Sequence, residues 1–287
     1  MQPVTLVATD LDGTLLNSRK NVTKRTRDAI RELKKHGILF GVASGRPVES
    51  GVLLAKDWGL EDSISFFIGM NGGVILDTRT GQKDQYHLLD GEEVQNIIDF
   101  FSDMDVIFQV MDGNHRWVSK STPETRAHAR LYGEIEEETD LREYLKGRQV
   151  NKLIIWSDPA YQPQVKARAM EYKSDKVHHC ATADNLYEFM DPAINKGFGI
   201  DRISDHFGVN RENIIAFGDQ ENDIQMLTHA GTGVAMQNGS DSAKEAADFI
   251  SRYTNDEDAL ARFIEDVILP NSKAYVLPDE LVHKKSL

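Results

Sequence analysis

Two acidic residues stand close together near the start of the chain, in the stretch ATDLDGTLL. Asp10 and Asp12 follow the apolar run 4–8, which is typical of a buried strand. Carboxylates are poor strand formers, and neighbouring carboxylates repel each other. A bound cation would offset that repulsion, so the pair indicates a cation site at the end of a strand.

Polar residues follow other short apolar runs in the same way. The runs 38–43, 63–70 and 213–218 each predict a strand. The residues that come after them are Ser44, Gly45 and Arg46, then Asn71, and then Asp219, Asn222 and Asp223. In open α/β sheets, ligands bind beyond the carboxyl ends of the strands, so we expect these residues at one edge. Lys196, which begins a predicted helix, could reach the same edge.

These residue types suit one kind of chemistry. Several carboxylates with few His or Cys residues make an all-oxygen site, which suits Mg²⁺. A metal-bound Asp10 stays ionised and can act as a nucleophile. Asp12 points away from Asp10 in an extended backbone and can instead carry a proton. Ser44, its neighbouring amides and Lys196 offer hydrogen bonds and charge to an anion. The set predicts a phosphoryl-transfer site.

The pattern of predicted elements divides the chain. Residues 1–82 and 188–287 show short β-rich runs that alternate with amphipathic helices, one of them capped by Thr23. The intervening segment 83–187 combines helices with a predicted hairpin around Asp112-Gly113-Asn114. The sequence therefore predicts an α/β fold, a doubly wound and mostly parallel sheet, interrupted by an inserted α+β domain.

Charge and composition limit the classes of partner. The formal net charge of −13 disfavours nucleic acid and anionic membrane surfaces, which both require Lys and Arg. The chain has one cysteine, Cys180, so it forms no internal disulfide. No apolar run approaches the ~18 residues of a membrane span. We expect a cytoplasmic protein, a monomer or weak homodimer, that binds a small phosphorylated metabolite.

Four motifs in order carry a family resemblance. With DLDGTLL, VASGR, INKGFGI and GDQENDIQML, the chain resembles the haloacid dehalogenase-like phosphatases, specifically the Cof-type sugar phosphatases with a C2 cap. GMNGG at 69–73 is similar to a turn common in that group. The resemblance covers the whole core, and the insertion lies between the second and third motifs. It implies a Rossmann-like core with an inserted cap domain.

The resemblance also implies roles for individual residues. Asp10 corresponds to the nucleophile and Asp12 to the general acid/base. The implied metal ligands are Asp10, the backbone carbonyl of Asp12 and Asp219, assisted by Asp223 or Asn222. Ser44 and Lys196 correspond to residues that hold the phosphoryl group, and Gly45, Arg46 and Asn71 are further candidates for phosphate or substrate contacts. The implied enzyme is a Mg²⁺-dependent phosphatase of sugar phosphates, pyridoxal phosphate, flavin mononucleotide or similar monoesters.

Two rival functions stay open from the sequence. A phosphomutase uses the same aspartyl-phosphate but requires an activating bisphosphate. A phospho-accepting regulatory protein also uses aspartates at strand ends, but such domains are shorter and lack an acid two residues after the acceptor.

Single residues also have simpler interpretations. Ser44 could cap the helix that starts near Pro47, and Asn71 could only form a turn with Gly72. The acidic run Glu134–Glu138 is predicted to be a solvated face.

Overall fold

The structure, a computed structural model, describes residues 4–270 and 282–284. The chain divides into two compact units, the first made of Met1–Asp84 and Asn195–Leu287 and the second of Gln85–Ile194. The sequence placed the insertion at 83–187. The second unit ends later, at Ile194, because the strand Leu186–Met190 pairs with two strands of that unit. The C-terminal segment VLPDELVHKKSL lies mostly outside the described residues.

The strands of the first unit form one large sheet. Its strands are β1 (Leu6–Asp10), β2 (Leu39–Ala43), β3 (Phe66–Gly69), β4 (Val74–Asp77), β5 (Lys83–Gln85), β14 (Ile214–Gly218), β15 (Thr232–Ala235), β16 (Phe249–Ser251) and β17 (Val282–Lys284). Its helices are α1 (Lys24–Lys35), α2 (Val48–Asp57), α7 (Lys196–Phe207), α8 (Ile224–His229), α9 (Asp241–Ala246) and α10 (Ala259–Phe263).

The second unit has its own strands and helices. Its strands are β6 (Leu89–Asp90), β7 (Ile107–Asp112), β8 (His115–Val118), β9 (Ile135–Glu138), β10 (Gln149–Val150), β11 (Lys152–Trp156), β12 (His178–Ala183) and β13 (Leu186–Met190). Its helices are α3 (Gly91–Phe100), α4 (Pro123–Leu131), α5 (Leu141–Tyr144) and α6 (Gln162–Ala169).

The large sheet has the order β17-β16-β15-β14-β1-β2-β3-β4-β5. The strands from β16 to β3 run parallel, whereas β4 is antiparallel to β3 and β17 is antiparallel to β16. Helices pack on both faces of β3. Phe67 lies against Gly51 of α2, and Ile68, which points to the other face, lies against Gly199 of α7. The predicted doubly wound, mostly parallel α/β fold is confirmed.

Local sequence explains the helix and strand limits near the expected site. The Thr23 side chain accepts the Thr26 N–H and caps α1, as predicted. The third strand, predicted over 63–70, is shorter than expected and covers Phe66–Gly69. It ends there because Met70 adopts a positive φ of 50°, which is incompatible with a strand.

The smaller sheet of the second unit has the order β12-β13-β11-β7-β8-β9. Apolar residues of α3 and α6, including Ile97 and Val165, pack against Phe108, Leu153 and Phe189 on one face of this sheet. The run Glu134–Glu138 is not only a solvated face, because β9 pairs with β8. That pairing is parallel, since the crossover helix α4 returns the chain in the same direction.

Among the described residues, no helix has both the length and the apolar character that a bilayer crossing requires.

Candidate active site

Three neighbouring parallel strands end at the same edge of the large sheet. Asp10 is the last residue of β1 and lies opposite Ala43, the last residue of β2. Ser44 directly follows β2, and Asp219 directly follows β14 on the other side of β1. Parallel pairing therefore brings residues from distant parts of the sequence to one edge, as predicted.

Lys196 lies at the centre of a buried charge cluster. It is the first residue of α7, whose start is capped by the Asn195 side chain accepting the Phe198 N–H. Its Nζ donates to Asp10 Oδ1 and to Asp223 Oδ1, at 2.5 Å each. The side chains of Lys196 and Asp223 are completely buried.

Asp219 is held next to this cluster by neutral donors. Thr14 Oγ1 donates to Asp219 Oδ1 at 2.6 Å, and Gln220 Nε2 donates to Asp219 Oδ2 at 3.0 Å. Gly13 has φ +87°, and any side chain there would collide with the Asp219 carboxylate. The glycine of the DLDGT stretch is thus required both by its backbone conformation and by the close approach of Asp219.

Burial makes the cluster electrostatically unusual. Burial and then the nearby Asp223 carboxylate raise the pKa of Asp10 to about 8, although Lys196 acts in the opposite direction. Burial also raises the pKa of Asp219. Burial alone would lower the pKa of Lys196, but Asp10 and Asp223 outweigh it and raise that pKa. Negative charge therefore exceeds positive charge in this buried region.

The cluster has a donor set that fits a divalent cation. Carboxylate oxygens of Asp10, Asp219 and Asp223 lie within 4.8 Å of one another, close enough to bind one metal ion. Three carboxylates face one ammonium, so a divalent cation would offset the remaining repulsion. Oxygen-only ligands match the preference of hard cations such as Mg²⁺.

Asp12 occupies a different environment from Asp10. Its carboxylate accepts from Lys20 Nζ at 2.8 Å and from an Arg46 guanidinium nitrogen at 2.5 Å. Its side chain is 39% exposed. Partial burial would raise the pKa of Asp12, but Arg46 and then Lys20 outweigh it and lower that pKa. The side chain of Asp12 thus contacts two cations while Asp10 contacts Lys196.

The loop after β2 lies against the turn after β3. Ser44 Oγ accepts the Arg46 N–H at 3.2 Å, and the Asn71 N–H donates to the Ser44 carbonyl oxygen at 3.1 Å. Asn71 has φ 56°, so it forms a left-handed turn with Gly72. The first helical residue after this loop is Val48, with Pro47 as the N-cap residue.

The structure thus brings most of the predicted residues to one edge. Asn222 differs, because it is exposed on the 3₁₀ turn Glu221–Asp223 that carries the buried Asp223. Sequence reasoning missed Thr14, Gln220 and Lys20. Thr14 could have been predicted because it stands in the same stretch as Asp10. Lys20 contacts Asp12 only because the chain turns back between them. The catalytic and binding roles of all these residues stay predictions.

Comparison with known proteins identifies similar chains. The sequence profile of the haloacid dehalogenase-like hydrolases matches residues 7–264. The chain is 31% identical over 275 residues to the 5-amino-6-(5-phospho-D-ribitylamino)uracil phosphatase YitU of Bacillus subtilis (strain 168), covering 91% of this chain and 96% of the relative. It is 30% identical over 269 residues to the phosphatase YcsE of the same organism, which bears the same substrate name, covering 93% and 96%.

A solved structure has the same fold. The crystal structure of a haloacid dehalogenase-like hydrolase from Bacteroides thetaiotaomicron is similar to this chain with a TM-score of 0.82 and 29% sequence identity. The similarity covers 92% of this chain and 99% of that chain, so it includes both compact units.

Proposed function

The chain belongs to the haloacid dehalogenase-like hydrolase family and is a phosphoric monoester hydrolase, and we propose that it is a Mg²⁺-dependent phosphatase acting through an aspartyl-phosphate on Asp10. The observation that carries this proposal is the buried cluster of Asp10, Asp219, Asp223 and Lys196, with Asp12 held apart by two cations. Lys196 next to Asp10 supports a role for Asp10 as the nucleophile, and the contacts of Asp12 with Lys20 and Arg46 favour the ionised form, which can accept a proton from water.

The first half of the reaction forms the covalent intermediate. An Asp10 carboxylate oxygen attacks phosphorus in line, and the bond from phosphorus to the leaving oxygen breaks. Asp12 donates a proton to that oxygen, which leaves as an alcohol. Lys196, Ser44 and the amides of its loop hold the phosphoryl oxygens and stabilise the charge that develops on them.

The second half releases phosphate. Asp12, now ionised, accepts a proton from a water molecule as that water attacks phosphorus. The bond between phosphorus and Asp10 breaks, and the Asp10 carboxylate is restored. Asp12 thus ends the cycle protonated, which is the form that the next leaving group needs.

Mg²⁺ is the proposed cation for the acidic cluster. Asp10, Asp219 and Asp223 would hold it together with the backbone carbonyl of Asp12, and Asn222 is a further candidate ligand. When bound, it would neutralise charge on the phosphoryl group and keep Asp10 ionised.

The proposed substrate is a small phosphorylated metabolite. The two B. subtilis relatives carry the name of a phosphatase for a phosphorylated ribitylaminouracil, a primary phosphate ester on a polyol chain. We propose an ester of this kind, or a sugar phosphate, as the substrate. A panel of the ribitylaminouracil phosphate, sugar phosphates, pyridoxal phosphate and flavin mononucleotide should show phosphate release that EDTA abolishes. Full activity in EDTA, or no release from any ester, would contradict the proposal.

The Asp12→Asn variant tests the division of labour. With p-nitrophenyl phosphate, the leaving group is stable as an anion, so the first half of the reaction should survive. The second half should fail because water lacks its base, and the variant should release about one nitrophenol per site and then stall. A peptide containing Asp10 should carry one added phosphoryl group. Steady turnover at the wild-type rate would assign Asp12 a structural role only.

A further inference from the structure

The turn after β3 holds two successive non-glycine residues in a strained conformation. Met70 has φ 50° and Asn71 has φ 56°, and both residues are buried. Residues with a side chain rarely adopt positive φ, and such strain persists only where the surroundings hold it in place. Met70 has neither the short polar side chain nor the missing Cβ that makes this region accessible. The surroundings must therefore maintain this turn.

One side of the turn is fixed to the loop that follows β2. The Met70 N–H donates to the Arg46 carbonyl oxygen at 3.0 Å, and the Asn71 N–H donates to the Ser44 carbonyl oxygen at 3.1 Å. The Ser44 N–H in turn donates to the carbonyl oxygen of Ile68 at 2.8 Å. A methyl group added to Gly45 would lie 3.0 Å from Asn71 Oδ1. The turn and the Ser44 loop are therefore locked together through their backbones.

The other side of the turn packs against the start of α7. Gly72 has φ +111°, and any side chain there would collide with the carbonyl oxygen of Asn195, the residue that caps α7. A methyl group added to Gly199 of that helix would lie 3.3 Å from the Gly72 Cα. Lys196 is the first residue of the helix, so the turn touches the segment that presents this lysine.

We propose that Met70, Asn71 and Gly72 are positioning residues that set the separation between the Ser44 loop and Lys196. The inference rests on the proposed function, in which these two elements hold the same phosphoryl group. A strained and tightly packed turn is a stiff spacer, because it cannot relax without breaking the hydrogen bonds to the loop or overlapping the helix. Phosphoryl transfer depends on such spacing, since misplacement by about 1 Å costs roughly 100-fold in rate.

The test compares two glycine variants. Gly72→Ala adds a methyl group that meets the carbonyl oxygen of Asn195. Gly81→Ala is the matched control, because Gly81 has φ +77° but nothing within 4 Å of an added methyl group. Both variants suffer backbone strain and should lower Tm. Only Gly72→Ala should weaken the binding of inorganic phosphate, measured by calorimetry with Mg²⁺, and lower kcat, each by about tenfold or more.

A second variant keeps the test decisive if Gly72→Ala does not fold. Gly199→Ala acts on the same contact from the helix, where its closest obstacle is the side chain of Ile68 and not backbone. It should also weaken phosphate binding and lower kcat. The inference is overturned if either folded variant binds phosphate and turns over like Gly81→Ala.

The outcomes separate this inference from the proposed function. Wild-type protein that neither binds phosphate nor hydrolyses any ester overturns the proposed function and, with it, this inference. Wild-type protein that does both, with Gly72→Ala and Gly81→Ala equally active, overturns the inference alone.

Discussion

The two units both bury ionisable side chains, but they combine acidic and basic groups differently. In the second unit, Lys152 Nζ pairs with Glu188 Oε1 at 2.7 Å, and both side chains are almost inaccessible. In the first unit, the single ammonium of Lys196 lies 2.5 Å from an oxygen of Asp10 and 2.5 Å from an oxygen of Asp223. This ion pair of the second unit joins a cation to a carboxylate, whereas the cluster of the first unit places more carboxylates than cations together.

This difference distinguishes a neutral buried ion pair from a cluster with excess negative charge. In a buried pair with one charge of each sign the two charges compensate each other, and removing one partner leaves the other uncompensated. In the cluster of the first unit the charges do not cancel, because Asp219 adds a third carboxylate and the pKa of Asp10 is raised to about 8. Such an excess of buried carboxylate charge favours the binding of a divalent cation.

The largest effect should come from Asp10→Asn. The amide is nearly isosteric but is not a nucleophile, so phosphate release should fall by several orders of magnitude while the fold is kept. Asp103→Asn, the same change at a carboxylate that is 71% exposed, is the control and should leave turnover unchanged. For both variants, phosphate release from a good substrate measures turnover and circular dichroism measures the fold. Near-normal turnover in Asp10→Asn would mean that the chemistry occurs elsewhere.

The next largest effect concerns the stability of the second unit. Lys152→Met leaves Glu188 buried without its ammonium and should lower the free energy of unfolding by about 3–5 kcal/mol in urea titrations. The double variant Lys152→Met, Glu188→Met should recover most of that loss. Lys146→Met, which removes an exposed partner of Glu143, should change stability little. A double variant less stable than the single one would contradict the idea that these two charges compensate each other.

A smaller effect should follow from metal binding to the first unit. Mg²⁺ should raise Tm, because a ligand that binds only the folded state adds about 2.7 kcal/mol at 100 times its Kd. Asp219→Asn should reduce this shift, since it removes one of the three clustered carboxylates. Asp77→Asn should retain it, because Asp77 contacts Arg79 and His206 instead. An equal shift in both variants would place the cation away from the cluster.

The smallest effect concerns Asp77 of the first unit, a carboxylate that contacts Arg79 and His206. Burial alone would raise the pKa of Asp77, but hydrogen bonds from Arg79 and His206 outweigh it and hold that pKa well below its usual range. A carboxyl with a lower pKa in the folded state stabilises the fold above the unfolded value of 3.8, and this contribution disappears as the pH falls below it. The difference in unfolding free energy between wild type and Asp77→Asn should therefore shrink in acid. A difference that stays constant down to about pH 2 would contradict this assignment.

Much of the fold was predictable because its signals are local. Alternating apolar runs and amphipathic helices predicted the parallel sheet, and Thr23 was placed correctly as a helix cap. The parallel pairing of β9 and the early end of β3 were not predictable in this way. The first depends on how α4 carries the chain across the small sheet, and the second on a strained turn that only neighbouring segments maintain.

The sequence by itself determined which side chains stand at the ends of strands, because a strand end and its next few residues are contiguous in the chain. It therefore determined that Asp10, Ser44 and Asp219 would share one edge once the strands were parallel. Only the tertiary structure decided the partners, such as Thr14 for Asp219, Lys20 and Arg46 for Asp12, and Lys196 for Asp10 and Asp223. Most of these contacts join residues far apart in sequence, and local spacing cannot encode distances that strand order and helix packing set.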